Sequence, residues 1–557
     1  MNAFLKKWKK YFIFAAVLSC FINILQLTFT FYMFAIYGQI VTSYSELSLY
    51  SITLIALYAL VVLGLFNYLR TRLLNVAGLD FNKNYGDAVL KNMLKLHAYP
   101  SRGYGQGLND LNLIMNFFNS PGLAAILDAP WSPFYLLLIF FVSPVLGLCA
   151  TGGAVVILGL GILQNLFTRN RLAKANHLYG QNLNEVNVLI RNAEVINSMG
   201  MEKGICNRWD DQNESVITHQ TIASRHAGIV QSITKPLQIF MQVVIYGIGG
   251  YYAMIGELDT GLMIVASIIM GQALGPLTRT MATWSHVLKV KSAYDRLSQF
   301  LNFISNQPEK MALPIPMGHI KVENLFFKLG RQTLLKNISF SLLPGDVLGV
   351  IGPSGAGKTT LCKLLVGIWP AIRGKIRLDG VDIFYWNHEE LGRHLGYLPQ
   401  EIELFNVSVA KNIARMGEID PDKVENTAKT VNIHEFIESL PQGYETPLYA
   451  ENGVSPSGGQ KQRIGLARAL YGQPKIIVLD EPNSNLDEIG EKELIKTLSA
   501  LKQKQSMTCI IVTHKPEILS VVDKILLLKN GQVVDFGDRD EILNKISQPN
   551  APQKQAI

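Results

Sequence analysis

Residues 346–368 read DVLGVIGPSGAGKTTLCKLLVGI. An apolar run with β-branched residues ends at Ile351, a glycine-rich loop follows, and a helix-like pattern begins after it. Gly352 to Thr359 fit the pattern GxxxxGK[ST], and strand, loop and helix are the context in which that pattern holds phosphate. Glycines let successive backbone N–H groups turn inward and cradle phosphate oxygens at a helix N-terminus. On this reading Gly352, Pro353, Ser354, Gly355, Ala356, Gly357, Lys358, Thr359 and Thr360 bind a nucleotide. Lys358 reaches the β- and γ-phosphates, and the Thr359 hydroxyl coordinates Mg2+.

Downstream, KIIVLD, TCIIVTH and KILLLK are short apolar runs that alternate with helical patterns. They predict an α/β domain with a largely parallel, buried sheet. The first of these runs ends in Asp480, and Glu481 follows it. A strand-end aspartate placed after a phosphate loop is expected to hold Mg2+, and the adjoining Glu481 is placed to polarise an attacking water. The domain is expected over 319–546, after a proline-punctuated linker at 307–318 and before a polar, disordered tail at 547–557.

Between the two halves of that site lies PSGGQKQR, Pro456 to Arg463. It resembles the signature of the ABC ATPases, and the other elements of that family follow in order. Gln400 in GYLPQE matches the Q-loop, Ser484 to Asp487 the D-loop, and His514 in VTHKPE the H-loop. The resemblance covers about 320–545. It implies ATP hydrolysis with Glu481 and His514 as catalytic residues, Gln400 joining Thr359 and Asp480 at the metal, and ATP and Mg2+ as cofactors. It also implies that Ser457, Gly458, Gly459 and Gln460 grip ATP held by a partner subunit, so the chain works as a homodimer. Two departures stand out. Pro456 occupies the usual leucine position, which leaves Ser457 to Gln460 intact. Leu329 occupies the position of the aromatic that stacks on adenine, with Phe326 and Phe327 just before it. The phenylalanines read as core residues, and adenine stacking stays open.

The N-terminal half has a different character. Of 557 residues 48% are hydrophobic and only 17% charged, and the net charge is +8; the mean hydropathy is +0.19. Soluble domains carry nearer a quarter charged residues. Six stretches approach the ~20 apolar residues that span a bilayer: 12–40, 47–68, 123–143, 145–168, 237–256 and 258–280. Lys6, Lys7, Lys9 and Lys10 precede the first, Arg70 and Arg72 follow the second, Arg169 and Arg171 the fourth, and Arg279, Lys289 and Lys291 the sixth. All fall on one side if the helices alternate, which places that side in the cytoplasm. The polar stretches 70–120 and 170–235 keep helical periodicity and read as helices continuing beyond the membrane. No basic stripe with interleaved aromatics suggests nucleic acid; the positive charge suits membrane lipid. The five cysteines lack metal-ligand spacing and read as buried, reduced thiols.

The expected fold class is therefore a multidomain membrane protein: an all-α six-helix ABC exporter transmembrane domain followed by an α/β phosphate-loop ABC ATPase domain. LDAPWSPFYLLL (127–138), RNAEVINSMGM (191–201) and GQALGP (271–276) resemble the permease/ATPase of type I protein secretion, in its protease and lipase exporter group. Asp128 and Trp131 are either part of a substrate path or an interfacial anchor at a proline-bent helix start. About ten residues precede the first helix, so no leader peptidase is expected. The resemblance implies export of unfolded protein substrates with a C-terminal signal across the bacterial inner membrane. It implies a membrane fusion (adaptor) protein and an outer-membrane channel as partners. Export of lipid, drug or peptide is the alternative. An ABC protein without a transport function conflicts with six apolar spans.

Overall fold

The computed structural model describes residues 2–97, 106–305, 313–449, 453–503 and 507–547. Of the expected disordered tail, residues 548–557 lie outside them, while Ser547 ends a helix; residues 307–312 of the expected linker also lie outside. The chain divides into two compact units, a helical one of residues 1–94 and 104–306 and a second that takes 95–103 with 307–557.

Among the described residues, six helices are long and apolar enough to cross a membrane: Trp8–Ile40, Glu46–Leu96, Pro121–Val142, Pro144–Arg191, Glu202–Met254 and Thr260–Leu301. The first contains a π-helical turn at Ile36–Ile40. The third is interrupted at Ala129–Trp131 by a 3-10 turn. There Pro130 and Pro133 sit at helix starts, where the missing N–H costs nothing. Much of the polar stretches is helix running on from the spans, since Glu46–His97 runs 52 residues, Pro144–Arg191 48 and Glu202–Met254 53, the last two joined through the short helix Ala193–Ser198. Hydrocarbon takes up only about 20 residues of each.

The last four spans share a core of Tyr135, Ile139, Leu146, Ile157, Ile245, Met270 and Leu274, with Ala150, Ala266 and Ala273 between them. Small residues let membrane helices approach closely, where dispersion and packing replace the hydrophobic drive. A Cβ on Gly153 would lie 2.8 Å from the Met241 methyl. Arg70, expected as a flanking cytoplasmic charge, is instead buried. Its Nη1 donates to Asp128 Oδ1 at 2.7 Å and to Ser19 Oγ at 2.9 Å. Asn23 Nδ2 donates to the same Asp128 oxygen at 3.1 Å, and Tyr135 Oη donates to the Asn23 carbonyl at 2.8 Å. Three spans are thus joined by one satisfied polar network. The expectation of five buried thiols holds for two: Cys362 and Cys509 are buried, Cys20 and Cys149 half-buried, and Cys206 exposed on a polar helix.

Among the described residues the second unit has ten strands: β1 Ile320–Leu329, β2 Gln332–Leu342, β3 Val347–Ile351, β4 Arg373–Leu378, β5 Val381–Asp382, β6 Leu395–Leu398, β7 Ile476–Asp480, β8 Thr508–Val512, β9 Lys524–Lys529 and β10 Gln532–Asp538. One sheet runs β10-β9-β3-β8-β7-β6. All its pairings are parallel except β9 with β10. β7 and β8 are buried along their whole length, which is why they read as unbroken apolar runs. An antiparallel sheet, β2-β1-β4-β5, forms a second layer. Phe327 of β1 is core, stacked on Trp369 with centroids 5.3 Å apart, while Phe326 and Leu329 are half-buried.

Candidate functional site at the carboxyl edge of the parallel sheet

In a parallel sheet the carboxyl ends of neighbouring strands open onto one crevice. Four adjacent strands, β3, β8, β7 and β6, end there in the phosphate loop, in Thr513–His514, in Asp480–Glu481 and two residues before Gln400. The order of strands therefore gathers residues that lie up to 162 positions apart in the chain (352 to 514).

The loop from Gly352 to Gly357 leads into the helix Lys358–Leu365. Glycine is required at both ends of it. Gly352 has φ +154 and a Cβ there would lie 2.1 Å from the Leu528 carbonyl oxygen; Gly357 has φ +100 and a Cβ would meet Leu335 Cδ2 at 2.7 Å. Lys358 Nζ donates to the carbonyls of Gly352 at 2.9 Å and Pro353 at 3.1 Å. Burial pulls the Lys358 ammonium below its usual pKa, while Glu481 and Asp480 oppose that shift.

Asp480 is fully buried, and neither carboxylate oxygen has a hydrogen-bond partner of good geometry. Burial is the main cause holding its carboxyl above the usual range; the Thr359 hydroxyl facing it works in the opposite direction. A buried anion without a partner is costly, so the position suits a cation. Among the described residues no three His, Cys, Asp or Glu side chains group as a metal cage. Mg2+ takes one or two carboxylates and fills its shell with water and phosphate, and the Asp480 carboxylate facing the Thr359 hydroxyl is a donor set of that kind.

Glu481 follows with φ +51, an uncommon conformation for a non-glycine residue. Its N–H is fixed to the Val512 carbonyl at 3.0 Å. The carboxylate is turned toward two neighbours: Gln400 Nε2 donates to one oxygen at 2.9 Å, and His514 Nε2 lies 3.3 Å from the other. Three residues from three strand ends thus meet on one carboxylate.

Ser457 caps the helix Gly458–Leu470 in a capping box with Gln460. Gln460 Oε1 accepts from the Ser457 N–H at 2.8 Å, and Ser457 Oγ accepts from the Gln460 N–H. Two orphan donors of the helix end are satisfied reciprocally, and Pro456 just before it is buried. Gln462 was not singled out from the sequence. It is buried, donates to the Glu481 carbonyl at 3.3 Å and accepts from Asn485 at 3.4 Å. Its position inside the signature run was the one available signal.

Two family models match this chain, "ABC transporter" over residues 335–484 and "ABC transporter transmembrane region" over residues 11–277. The type I secretion system ATP-binding protein PrsD of Rhizobium meliloti is 33% identical over 561 residues, covering 99% of this chain and 96% of PrsD. The chain belongs to the ABC transporters. Two other relatives of this ABC transporter are the toxin RTX-I translocation ATP-binding protein of Actinobacillus pleuropneumoniae and the leukotoxin translocation ATP-binding protein LktB of Mannheimia haemolytica. Each is 27% identical, with 96% of this chain and 77% of the relative covered. A solved bacterial Atm1-family ABC exporter with ATP bound superposes with a TM-score of 0.82 over 100% of both chains at 21% identity, which shows the fold. The ABC transporter is thus a multi-pass membrane protein whose second unit is an ATP-binding ABC ATPase domain.

Proposed function

We propose that this ABC transporter is the ATP-driven permease of a type I protein secretion system in the bacterial inner membrane. It exports unfolded proteins that carry a C-terminal signal, as a homodimer, together with a membrane fusion adaptor protein and an outer-membrane channel. The observation that carries the reading is likeness to a type I secretion protein along 96% of that protein's length. We take residues 1–306 as the transmembrane domain and 319–546 as the ATPase domain.

The geometry supports the following division of labour. The 352–360 segment binds ATP, its backbone N–H groups and Lys358 facing the phosphates. Thr359, Asp480 and Gln400 are the residues that would hold Mg2+, which supplies neutralisation of charge on the transferring phosphoryl group. Glu481, placed by its left-handed backbone and oriented by Gln400 and His514, accepts a proton from the attacking water. Ser457 to Gln460 present a capped helix N-terminus to nucleotide held by the partner copy. Deleting the gene and comparing secreted proteins tests the reading. One protein should vanish from the medium and return with the wild-type gene but not with Glu481→Gln. An unchanged set of secreted proteins would sink it.

A further inference from the structure

Helix Val409–Ile413 lies between Gln400 and the signature helix in the chain. It carries Asn412, which is fully buried. The Asn412 amide donates to the carbonyls of Phe405 at 3.0 Å and Ser408 at 3.2 Å, and its oxygen accepts from the Phe405 N–H at 2.9 Å. One side chain therefore shapes the loop that follows Gln400. Two residues past the helix, Arg415 and Met416 both adopt positive φ, at +54 and +62. That turn directs the Arg415 guanidinium back into the domain. There it donates to four backbone carbonyls: Arg468 at 2.8 Å, Ala469 at 2.7 Å, Leu395 at 3.2 Å, and Gly392.

Those acceptors belong to three elements, Gly392 lying in the short helix His388–His394 that leads into β6. Arg468 and Ala469 lie in the last turn of helix Gly458–Leu470, whose carbonyls have no partner within the helix. Leu395 is the first residue of β6, the strand that ends two residues before Gln400. Arg468 adds a second tie: its Nη1 donates to the Glu403 carbonyl at 3.1 Å and its guanidinium lies over the Phe405 ring at 5.7 Å. Burial lowers the Arg415 pKa to about 10. So costly a charge is retained where planar, multiple donation is needed.

We propose that Arg415, supported by Asn412, is a positioning residue that fastens the Gln400 strand and loop to the far end of the signature helix. The inference rests on the reading of Gln400 and Ser457 given above. A 13-residue helix is a stiff rod of roughly 20 Å, so a shift of the Gln400 loop is delivered through Arg415 to Ser457 at its other end. ADP, held by the phosphate loop of the same chain, is outside this linkage.

The test uses the full-length protein in lipid nanodiscs. Arg415→Met keeps the bulk and removes the donors; Arg415→Lys keeps the charge and part of the donation. Phe340→Leu, a buried change on β2 of the antiparallel sheet and in a different core cluster from Val409 to Ala414, serves as a control for lost stability. Arg415→Met should lower kcat for ATP at least about fivefold while the Kd for ADP stays within about twofold, and Arg415→Lys should recover part of the kcat. The control, at a comparable loss of Tm, should keep its kcat. The proposal is overturned if Arg415→Met keeps wild-type kcat, if the control loses as much kcat, if ADP affinity falls in parallel, or if lysine rescues nothing. Glu481→Gln in the same assay separates the two readings. Full turnover there sinks the base assignment, whereas an inactive Glu481→Gln beside a fully active Arg415→Met sinks only the linkage.

Discussion

Arg70 and Asp128, 58 positions apart, meet at 2.7 Å inside the helical unit, and both are buried. The pair joins the second span to the third, and Asn23 and Ser19 bring in the first. Removing one member leaves the other charged and buried, which typically costs about 3–5 kcal/mol, whereas replacing both with apolar side chains is far milder. Arg70→Met and Asp128→Leu should therefore each lower the melting temperature of the detergent-purified protein. The double variant should recover more than half of the summed loss. Additive losses in thermal scans would show that the two residues do not act as a pair.

Glu481→Gln keeps the shape of the side chain and removes its basicity. ATP turnover should fall by about 10²- to 10⁴-fold, the range for a lost general base, with ADP affinity unchanged. Steady-state hydrolysis and equilibrium binding on the same preparation check both halves. Wild-type turnover would be decisive against the role.

Gly357 is required twice over, by φ +100 and by the 2.7 Å approach of Leu335 Cδ2 to a Cβ. Gly357→Ala should weaken nucleotide binding by at least about tenfold, since left-handed strain alone costs on the order of 1–3 kcal/mol. Adding Leu335→Ala makes room without relieving the dihedral, so it should restore only part of the affinity. Full restoration would mean that crowding alone dictates glycine there.

Asp480 gives a pH signature. Burial holds its carboxyl above the unfolded value, so its contribution to stability is complete below the unfolded pKa and is lost as pH rises through the folded one. Asp480→Asn escapes that loss. Without nucleotide or Mg2+, the variant should melt higher than wild type at about pH 8, by an amount on the order of 1–3 kcal/mol. The difference should shrink as pH falls through the raised pKa. A gap independent of pH would point to shape rather than charge.

Much of the ATP site could be read directly because each part is local. A glycine pattern between strand and helix, an acidic pair after an apolar run and a serine three residues before a glutamine all show in short windows. The strands β3, β7, β8 and β9 read as apolar runs because they are buried on both faces. The antiparallel layer was not legible in the same way. β1 breaks its alternation with a positive φ at Asn324 and shifted pairings from Val322 to Lys328, so no clean period of two survives. The Arg70–Asp128 pair was hidden for another reason: an arginine at the end of an apolar stretch has the same local sequence whether it faces water or a carboxylate from another span. Likewise Arg415 offers no pattern, because its acceptors are backbone carbonyls that any residue provides.

The three longest helices, of 52, 48 and 53 residues, reach roughly 70–80 Å at 1.5 Å per residue, while the hydrocarbon is about 30 Å thick. Each is therefore a lever arm with most of its length outside the bilayer. A pivot of about 5° swings the end of such a rod through roughly 7 Å, more than one helical turn of 5.4 Å. Large excursions at the cytoplasmic tips thus need only slight tilts among the packed spans, and a core as tight as that around Ala266, Met270 and Ala273 can remain intact throughout.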